Sequence, residues 1–418
     1  MNPRIIAAAL LLAATALAGI AGAYPNDGYA GTGIRRLERL RLQLEADPEH
    51  ADLPAGGRLG TADIVLHLAD SRGDSVSFFP APDRRLQAAL EGIFPDRDES
   101  YSVALMDITP GRPFRYAAIQ PERQFSPGSV GKIAIAAGLF AELRRLFPDD
   151  VDARARLLRE RVVTATDWIV HDEHAVPIYE PGTGAFVSRR VREGDAATLY
   201  EWTDHMLSAS ANAAASLVWK EVMLMRAFGA SYPPSPEEEA AFFSGTPKTE
   251  LRDLAVSVVN EPLRAAGIPE TRWRLGSFFT RRGKAIVPGS PSLGTPAGAL
   301  SFLLQIERGA VVDAWSSLEI KRLLYMTARR IRYASSPALA SSAVYFKSGS
   351  LYRCEPEPEF TCRKYMGNVE NTMNSIAIVE RPDGTVYCVA LMSNILRRNS
   401  AVEHQTLATF IDRIMGRP

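Results

Sequence analysis

The sequence of 418 residues has no excess of charge of either sign, because Lys plus Arg and Asp plus Glu each number 48. A chain without net charge has no general attraction for a polyanion, so we do not expect it to bind nucleic acid. Beyond its N-terminal segment it also has no apolar run long enough to span a membrane. With 46 % hydrophobic and 23 % charged residues, it has the composition of a globular protein with a substantial core.

The N-terminal segment has the pattern of an export signal. Arg4 precedes an apolar run from Ile5 to Ile20, and the small residues Ala21-Gly22-Ala23 follow it. This order predicts a secretory signal peptide over residues 1–23, and therefore a periplasmic or secreted protein with no membrane span after cleavage. A retained membrane anchor is the alternative, since the run approaches spanning length.

Cysteine occurs only three times, and export would place these thiols in an oxidising compartment. Cys354 and Cys362 are close in sequence and bracket a polar segment, whereas Cys388 lies in the apolar run Val386 to Met392. We therefore expect a Cys354–Cys362 disulfide and a buried, free Cys388. Three unpaired thiols are the alternative.

The order of the predicted elements indicates how the chain is organised. Residues 24–95 look like a separate N-terminal accessory region, with a basic helix from Ile34 to Leu44 whose arginines we expect on a solvated face. In residues 96–418, two strands precede a mainly helical subdomain at about 133–330, and three strands and a helix follow it. Antiparallel pairing of strands from both ends of the chain predicts an α/β (α+β) fold, in which one antiparallel sheet is flanked by helices and a helical subdomain is inserted. The predicted strands are Tyr101–Ile108, Phe114–Ile119, Ala343–Phe346, Ser375–Glu380 and Val386–Met392, the terminal helix is Val402–Met415, and Pro177–Gly184 is predicted as a loop.

Lysine is scarce too, and this makes the stretch FSPGSVGKIAIAAGLF at residues 125–140 informative. Ser129 is the only serine in the chain with a lysine three positions later, Lys132. On a helix these two side chains share a face, and a lysine discharged by burial can take the proton of a serine hydroxyl. The start of the helix also aims free backbone N–H groups at the serine. An N-capping serine beside a solvated lysine is the alternative.

Two further short motifs each occur once. In MLSASANAAASL, Ser210 and Asn212 lie across a predicted break between helices, where a hydroxyl can relay a proton and an amide can hold a carbonyl. Lys347, Ser348 and Gly349 end the predicted strand AVYF, where they suit the docking of an extended substrate that bears a carboxylate. Helix capping and an ordinary strand end are the respective alternatives.

The three motifs stand in the order S-x-x-K, S-x-N and K-S-G. From about Tyr101 to its end the chain resembles the penicillin-recognising serine hydrolases, which carry this set. The strand pair that leads straight into S-x-x-K, and the stretch SLGTPAGALSFLLQIERG before the K-S-G strand, resemble the class A β-lactamase-like branch. This chain has S-A-N where that branch has S-D-N, and K-S-G where it has K-T-G, but the hydroxyl and amide groups are kept.

The resemblance implies a role for each motif residue that carries chemistry. Ser129 would be the nucleophile that is acylated, and Lys132 its base or proton shuttle. Ser210 and Asn212 would serve in proton relay and in positioning the substrate. The implied enzyme is an exported serine hydrolase or acyltransferase that needs no cofactor and no metal.

The third motif would bind the substrate. The resemblance implies that Lys347 and Ser348 bind its carboxylate, that Gly349 lets it approach, and that the backbone N–H groups of Ser129 and Ser350 form the oxyanion hole. The implied substrates are β-lactams or D-alanyl peptides of the cell wall.

The chain departs from the class A pattern at the glutamate that drives deacylation in that branch. The best candidate is Glu261, in NEPLRAAGIP, while Gly276 to Pro296 contains no Asp or Glu. If Glu261 serves as this base, a true class A-type β-lactamase is the alternative function. A catalytically weak, cell-wall-binding protein on the same fold is the other.

Polar extra sequence between the first two motifs, around residues 171–190, predicts an insertion near the cleft. Its two histidines, His171 and His174, lack a set of further ligands for a metal. We expect both on the surface of the insertion.

Overall fold

The computed structural model describes residues 23–47, 53–74 and 79–416. Nearly all of the predicted signal peptide lies outside these residues. No helix in the described part of the chain has both the length and the apolar character needed to cross a membrane.

The central element is a five-stranded antiparallel sheet in the order β2-β1-β11-β10-β9. The first hairpin pairs with the last strand, with Val103 opposite Leu391, so both ends of the predicted domain close one sheet as expected. The longest ladder joins β10 to β9 and sets Asn374 opposite Gly349. The strands are β1 (Ser102–Asp107), β2 (Arg115–Ile119), β3 (Val162–Thr164), β4 (Ala175–Glu180), β5 (Ala185–Arg190), β6 (Ala196–Thr198), β7 (Trp273–Arg274), β8 (Leu293–Gly294), β9 (Ala343–Arg353), β10 (Glu370–Glu380) and β11 (Val386–Asn394).

Fourteen α-helices surround the sheet among the described residues. They are α1 (Tyr29–Thr32), α2 (Arg35–Ala46), α3 (Ser71–Asp74), α4 (Arg84–Glu91), α5 (Lys132–Leu146), α6 (Val151–Glu160), α7 (Leu199–Leu207), α8 (Asn212–Phe228), α9 (Pro236–Gly245), α10 (Lys248–Ala265), α11 (Arg281–Ile286), α12 (Pro296–Glu307), α13 (Ala314–Leu324) and α14 (Ser400–Met415). Short 3₁₀ turns join them, and the turn Gly128–Gly131 leads directly into α5.

The sheet separates two apolar layers because its side chains alternate between faces. On β11, Cys388 and Ala390 point into the layer shared with the helical subdomain. Val389 and Leu391 point into the other layer, against α4 and α14. The helical subdomain is centred on α5, which is buried over most of its length because ten of its 15 residues are Ala, Ile, Leu or Phe.

The N-terminal region packs into the same core, although the sequence suggested a separate region. Tyr24, Leu37 and Ile64 are fully buried in the layer of the helical subdomain. The prediction that the arginines of the basic helix are solvated is wrong for Arg36, whose guanidinium forms a fully buried ion pair with Asp204 at 2.6 Å. Buried charges require such pairing, and the partner lies on α7, far away in sequence.

The insertion between the first two motifs forms a β-hairpin where the sequence suggested a loop. Strands β4 and β5 pair from Ala175 opposite Arg190 to Glu180 opposite Ala185. Pro177 is accommodated because this two-stranded sheet has only edge strands.

The disulfide prediction is confirmed. Cys354 and Cys362 are bonded, with a Cα–Cα distance of 6.2 Å, and Cys388 is free and buried. The bridge lies in the long connection between β9 and β10, residues 354–369.

Candidate active site

Ser129 and Lys132 meet at the start of α5. The turn Gly128–Gly131 carries the serine and α5 begins at the lysine, so the spacing of three positions puts both on one face. The Lys132 Nζ lies 3.0 Å from the Ser129 Oγ. Lys132 is completely buried, which holds the amine in place beside the hydroxyl.

The second motif surrounds the same amine. Lys132 Nζ donates to the backbone oxygen of Ser210 at 2.5 Å and to Asn212 Oδ1 at 2.8 Å. Ser210 has φ +60°, an uncommon backbone conformation for a residue other than glycine. This conformation allows both its carbonyl and its hydroxyl to face the two lysines of the site, and such strain clusters at functional sites.

The third motif joins them from β9. Lys347 Nζ donates to Ser210 Oγ at 2.8 Å, and Lys132 Nζ lies 3.5 Å from the same hydroxyl. The Ser210 hydroxyl therefore bridges the two lysines. Three short segments far apart in sequence thus meet around Ser129.

The protonation of both lysines is perturbed. Burial is the main cause that lowers the pKa of Lys132 to about 7; the negative charge of Asp172 opposes this shift and the positive charge of Arg332 adds to it. Burial also lowers the pKa of Lys347 well below its usual value, with further lowering by the charges of Lys132 and Arg332. A substantial fraction of Lys132 is therefore neutral near pH 7 and able to accept a proton.

Two glycines let β9 pass close to the start of α5. A Cβ on Gly349 would lie 2.6 Å from the Ser129 backbone nitrogen and 2.5 Å from the Pro127 oxygen, which a side chain cannot tolerate. Gly128 has φ +51°, and a Cβ there would lie 3.2 Å from the Ser350 nitrogen. The backbone of β9 at Gly349 and Ser350 therefore packs directly against the turn that carries Ser129.

Arg332 is a site residue that the sequence analysis missed. Its guanidinium donates to Ser348 Oγ at 2.6 Å, to Ser350 Oγ at 3.0 Å and to the Tyr365 hydroxyl at 3.1 Å. All three partners are neutral, so the charge of Arg332 is not compensated by them. No local pattern marks this arginine, because it comes from a loop before β9 and reaches the K-S-G motif only through the tertiary fold.

The insertion contributes Glu173 and His174 to the cleft wall, and His174 is partly exposed there, while Asp172 lies beside them. Asp172 Oδ2 accepts from the Ala213 backbone nitrogen at 2.8 Å, and its Oδ1 accepts from His174 Nδ1 at 2.6 Å. These bonds tie the insertion to the start of α8, beside Asn212. No group of His, Cys, Asp or Glu suited to a metal occurs among the described residues.

Glu261 does not lie in the cleft, which corrects its assignment as candidate deacylation base. It is exposed on α10 and forms an ion pair with Arg226 at 3.0 Å. It lines a separate depression with Arg144 and Arg145, at the far end of α5. That end is roughly 20 Å from the end that carries Ser129, at 1.5 Å per residue along the helix.

An aromatic ring, that of Phe279, lies beside Lys132. The centroid of its ring is 4.7 Å from Lys132 Nζ, and it belongs to the segment Gly276 to Pro296 that lacks acidic residues. The cleft around Ser129 has a volume of about 700 Å³, and the only carboxylate among its described lining residues is that of Glu173.

The chain has a β-lactamase-like fold. Its structure is similar to that of a point mutant of PBP-A in an acyl-enzyme complex with penicillin G, with a TM-score of 0.51 and 12 % identity over 80 % of this chain and 98 % of that one. It is also similar to a β-lactamase from Chitinophaga pinensis DSM 2588, with a TM-score of 0.50 and 15 % identity over 79 % and 96 % of the two chains. No protein-family model and no curated protein sequence matches this chain.

Proposed function

We propose that this protein is an exported serine acyltransferase or hydrolase that forms an acyl-enzyme on Ser129 with β-lactams or with D-alanyl peptides of the cell wall. One observation carries the proposal: the Ser129 hydroxyl lies 3.0 Å from the amine of Lys132, and the pKa of that amine is lowered to about 7. A serine beside a buried lysine that is partly neutral near pH 7 is an activated nucleophile.

The chemistry follows from these contacts. Neutral Lys132 takes the proton of Ser129 as its Oγ attacks the amide carbonyl, and the amides of Ser129 and Ser350 stabilise the oxyanion. The Ser210 hydroxyl, in contact with both lysines, passes a proton to the leaving nitrogen as the C–N bond breaks. Asn212 holds Lys132 in position and donates its amide to the substrate.

The substrate carboxylate is bound at the K-S-G motif. Arg332 donates to Ser348 and Ser350, and a carboxylate that replaces or extends these bonds would receive charge-assisted hydrogen bonds. Lys347 adds a second donor from β9. The carboxylate of a β-lactam and the C-terminal carboxylate of a peptide meet the same requirement.

Deacylation is slow in this proposal. Phe279, an apolar residue, lies beside Lys132, and Glu261 is at the other end of α5. The loss of a positioned general base costs about 10²–10⁴-fold in rate. These positions favour a penicillin-binding, peptidase-like enzyme over a fast β-lactamase.

Periplasmic or secreted location is part of the proposal. The Cys354–Cys362 bridge supports it, because such bonds persist in oxidising compartments.

The test is to follow the intact mass of the mature protein during incubation with penicillin G. We expect a lasting adduct of one penicillin that is absent in Ser129→Ala. Rapid turnover without an adduct would instead support a β-lactamase, and neither adduct nor turnover would support a binding protein.

The rate of acylation should depend on pH through Lys132. Because the neutral amine is the base, the rate rises with pH and levels off above a pKa of about 7. Below that value it falls about tenfold per pH unit, as the neutral fraction does. The measurement is the rate of adduct formation from about pH 5 to about pH 9; a flat profile would contradict the role of Lys132 as base.

A further inference from the structure

The cleft carries an unbalanced positive charge. Four basic side chains line it and only one carboxylate, that of Glu173, does so among the described residues. The four are Lys284, Arg329, Arg332 and Lys364. None of the salt bridges found in the described part of the chain involves any of them. In a chain with equal numbers of acidic and basic residues, this convergence marks a site for an anion.

Two of these charges share one aromatic ring. The guanidinium carbon of Arg332 lies 4.8 Å from the centroid of the Tyr365 ring, and Lys364 Nζ lies 5.2 Å from the same centroid. Burial alone would raise the pKa of the Tyr365 phenol, but the charges of Arg332 and Lys364 lower it. Two cations thus lie near the same tyrosine at the end of the cleft that holds the K-S-G motif.

The disulfide lies close along the chain to one of these cations, Lys364. Lys364 and Tyr365 lie in the β9–β10 connection, and the Cys354–Cys362 bond closes its first part. Cys362 Sγ lies 3.5 Å from the Met366 backbone oxygen, so the bridge is close in space to the segment that carries the lysine. Lys364 therefore follows a cross-linked segment, two residues beyond Cys362.

We propose that the substrate is a peptide whose leaving residue carries two carboxylates. This inference rests on the proposed function and specifies its substrate. The α-carboxylate lies against Arg332, Ser348 and Ser350, and the side-chain carboxylate lies against Lys364. The leaving residue is thus an acidic amino acid, such as glutamate in the D configuration.

The proposed reaction is an acyl transfer from the peptide to Ser129. Ser129 Oγ bonds to the carbonyl carbon, the C–N bond to the acidic residue breaks, and its nitrogen receives a proton through Ser210. The dicarboxylic amino acid leaves the cleft, and the peptidyl group stays on Ser129 until water or an amine accepts it.

The experiment compares two acylated tripeptides that end in D-Ala-D-Ala and D-Ala-D-Glu. We expect the mature protein to release D-Glu with a kcat/KM about two- to fivefold higher than that for D-Ala, the range that one exposed ion pair supplies. The preference should shrink at high salt because the pair is screened. Equal or reversed preference, or no cleavage of either peptide, would overturn the inference.

Variants of the loop separate charge recognition from structure. Lys364→Gln should reduce the preference for D-Glu to near unity, and Lys364→Arg should restore most of it. Arg363→Gln is the matched control, because Arg363 is exposed on the same loop but does not line the cleft, and it should leave the preference unchanged. If Lys364→Gln kept the full preference, the assignment of Lys364 would be wrong.

The same preparation is incubated with penicillin G to test the proposed function separately. If the protein forms a penicillin adduct but shows no preference for the peptide that ends in D-Glu, only the identity of the leaving residue is overturned. The absence of any adduct overturns the acyl-enzyme and this inference together.

Discussion

Replacement of Lys132 by methionine should slow the acylation of Ser129 by penicillin G about 10²–10⁴-fold, the usual contribution of a positioned base. The amine is completely buried and bonded to Ser129, Ser210 and Asn212, so no water replaces it at this point without rearrangement. Methionine has a similar length and suits a buried position, so the fold should be retained. The measurement is the rate of adduct formation by intact mass.

Lys220→Met is a matched control for this variant. Lys220 is also largely buried, but it pairs with Glu239 and does not line the cleft. Its loss should change the melting temperature and leave acylation unchanged. If Lys132→Met formed the adduct at the rate of the parent protein, Lys132 would not be the base.

Replacement of Phe279 by glutamate should have a large effect in the opposite direction, on deacylation. A carboxylate near the position of this ring, 4.7 Å from Lys132 Nζ, could hold and deprotonate a water beside the acyl carbonyl. We expect the lifetime of the penicillin adduct to shorten about 10²–10⁴-fold. The new negative charge should also raise the pKa of Lys132 and move the pH profile of acylation upward.

The control is Phe279→Gln, which has nearly the same size as the glutamate variant but no base. Its adduct should last about as long as that of the parent protein. The lifetime is measured by intact mass after excess penicillin is removed. An adduct of Phe279→Glu that persists as long as that of Phe279→Gln would show that the missing carboxylate is not what limits turnover.

Several features followed from the sequence because each depends on local spacing or on the chemistry of one residue type. The spacing of Ser129 and Lys132 was enough to place them on one helical face. Alternation along the strands and the turns between them predicted a sheet built from both ends of the chain. The pairing of Cys354 with Cys362 followed from their closeness in sequence, and the apolar surroundings of Cys388 predicted its burial.

The positions of Glu261 and Arg36 depend instead on how segments far apart in sequence pack together. Glu261 had a plausible local pattern, yet α10 carries it to the far end of α5, where Arg226 holds it. The solvated face predicted for the basic helix fails at Arg36 because Asp204, on α7, supplies a buried partner. Neither outcome is encoded near the residue concerned.

The sequence by itself determined the inventory of reactive groups and their order along the chain. Only the tertiary structure decided the states of these groups. Burial lowers the pKa of Lys132, the charge of Arg332 lowers it further, and the ring of Phe279 lies 4.7 Å from the amine. The physical reason is that desolvation and charge act through space. The pKa of a side chain therefore depends on all the groups that pack around it, whether these are near to it or far from it in sequence.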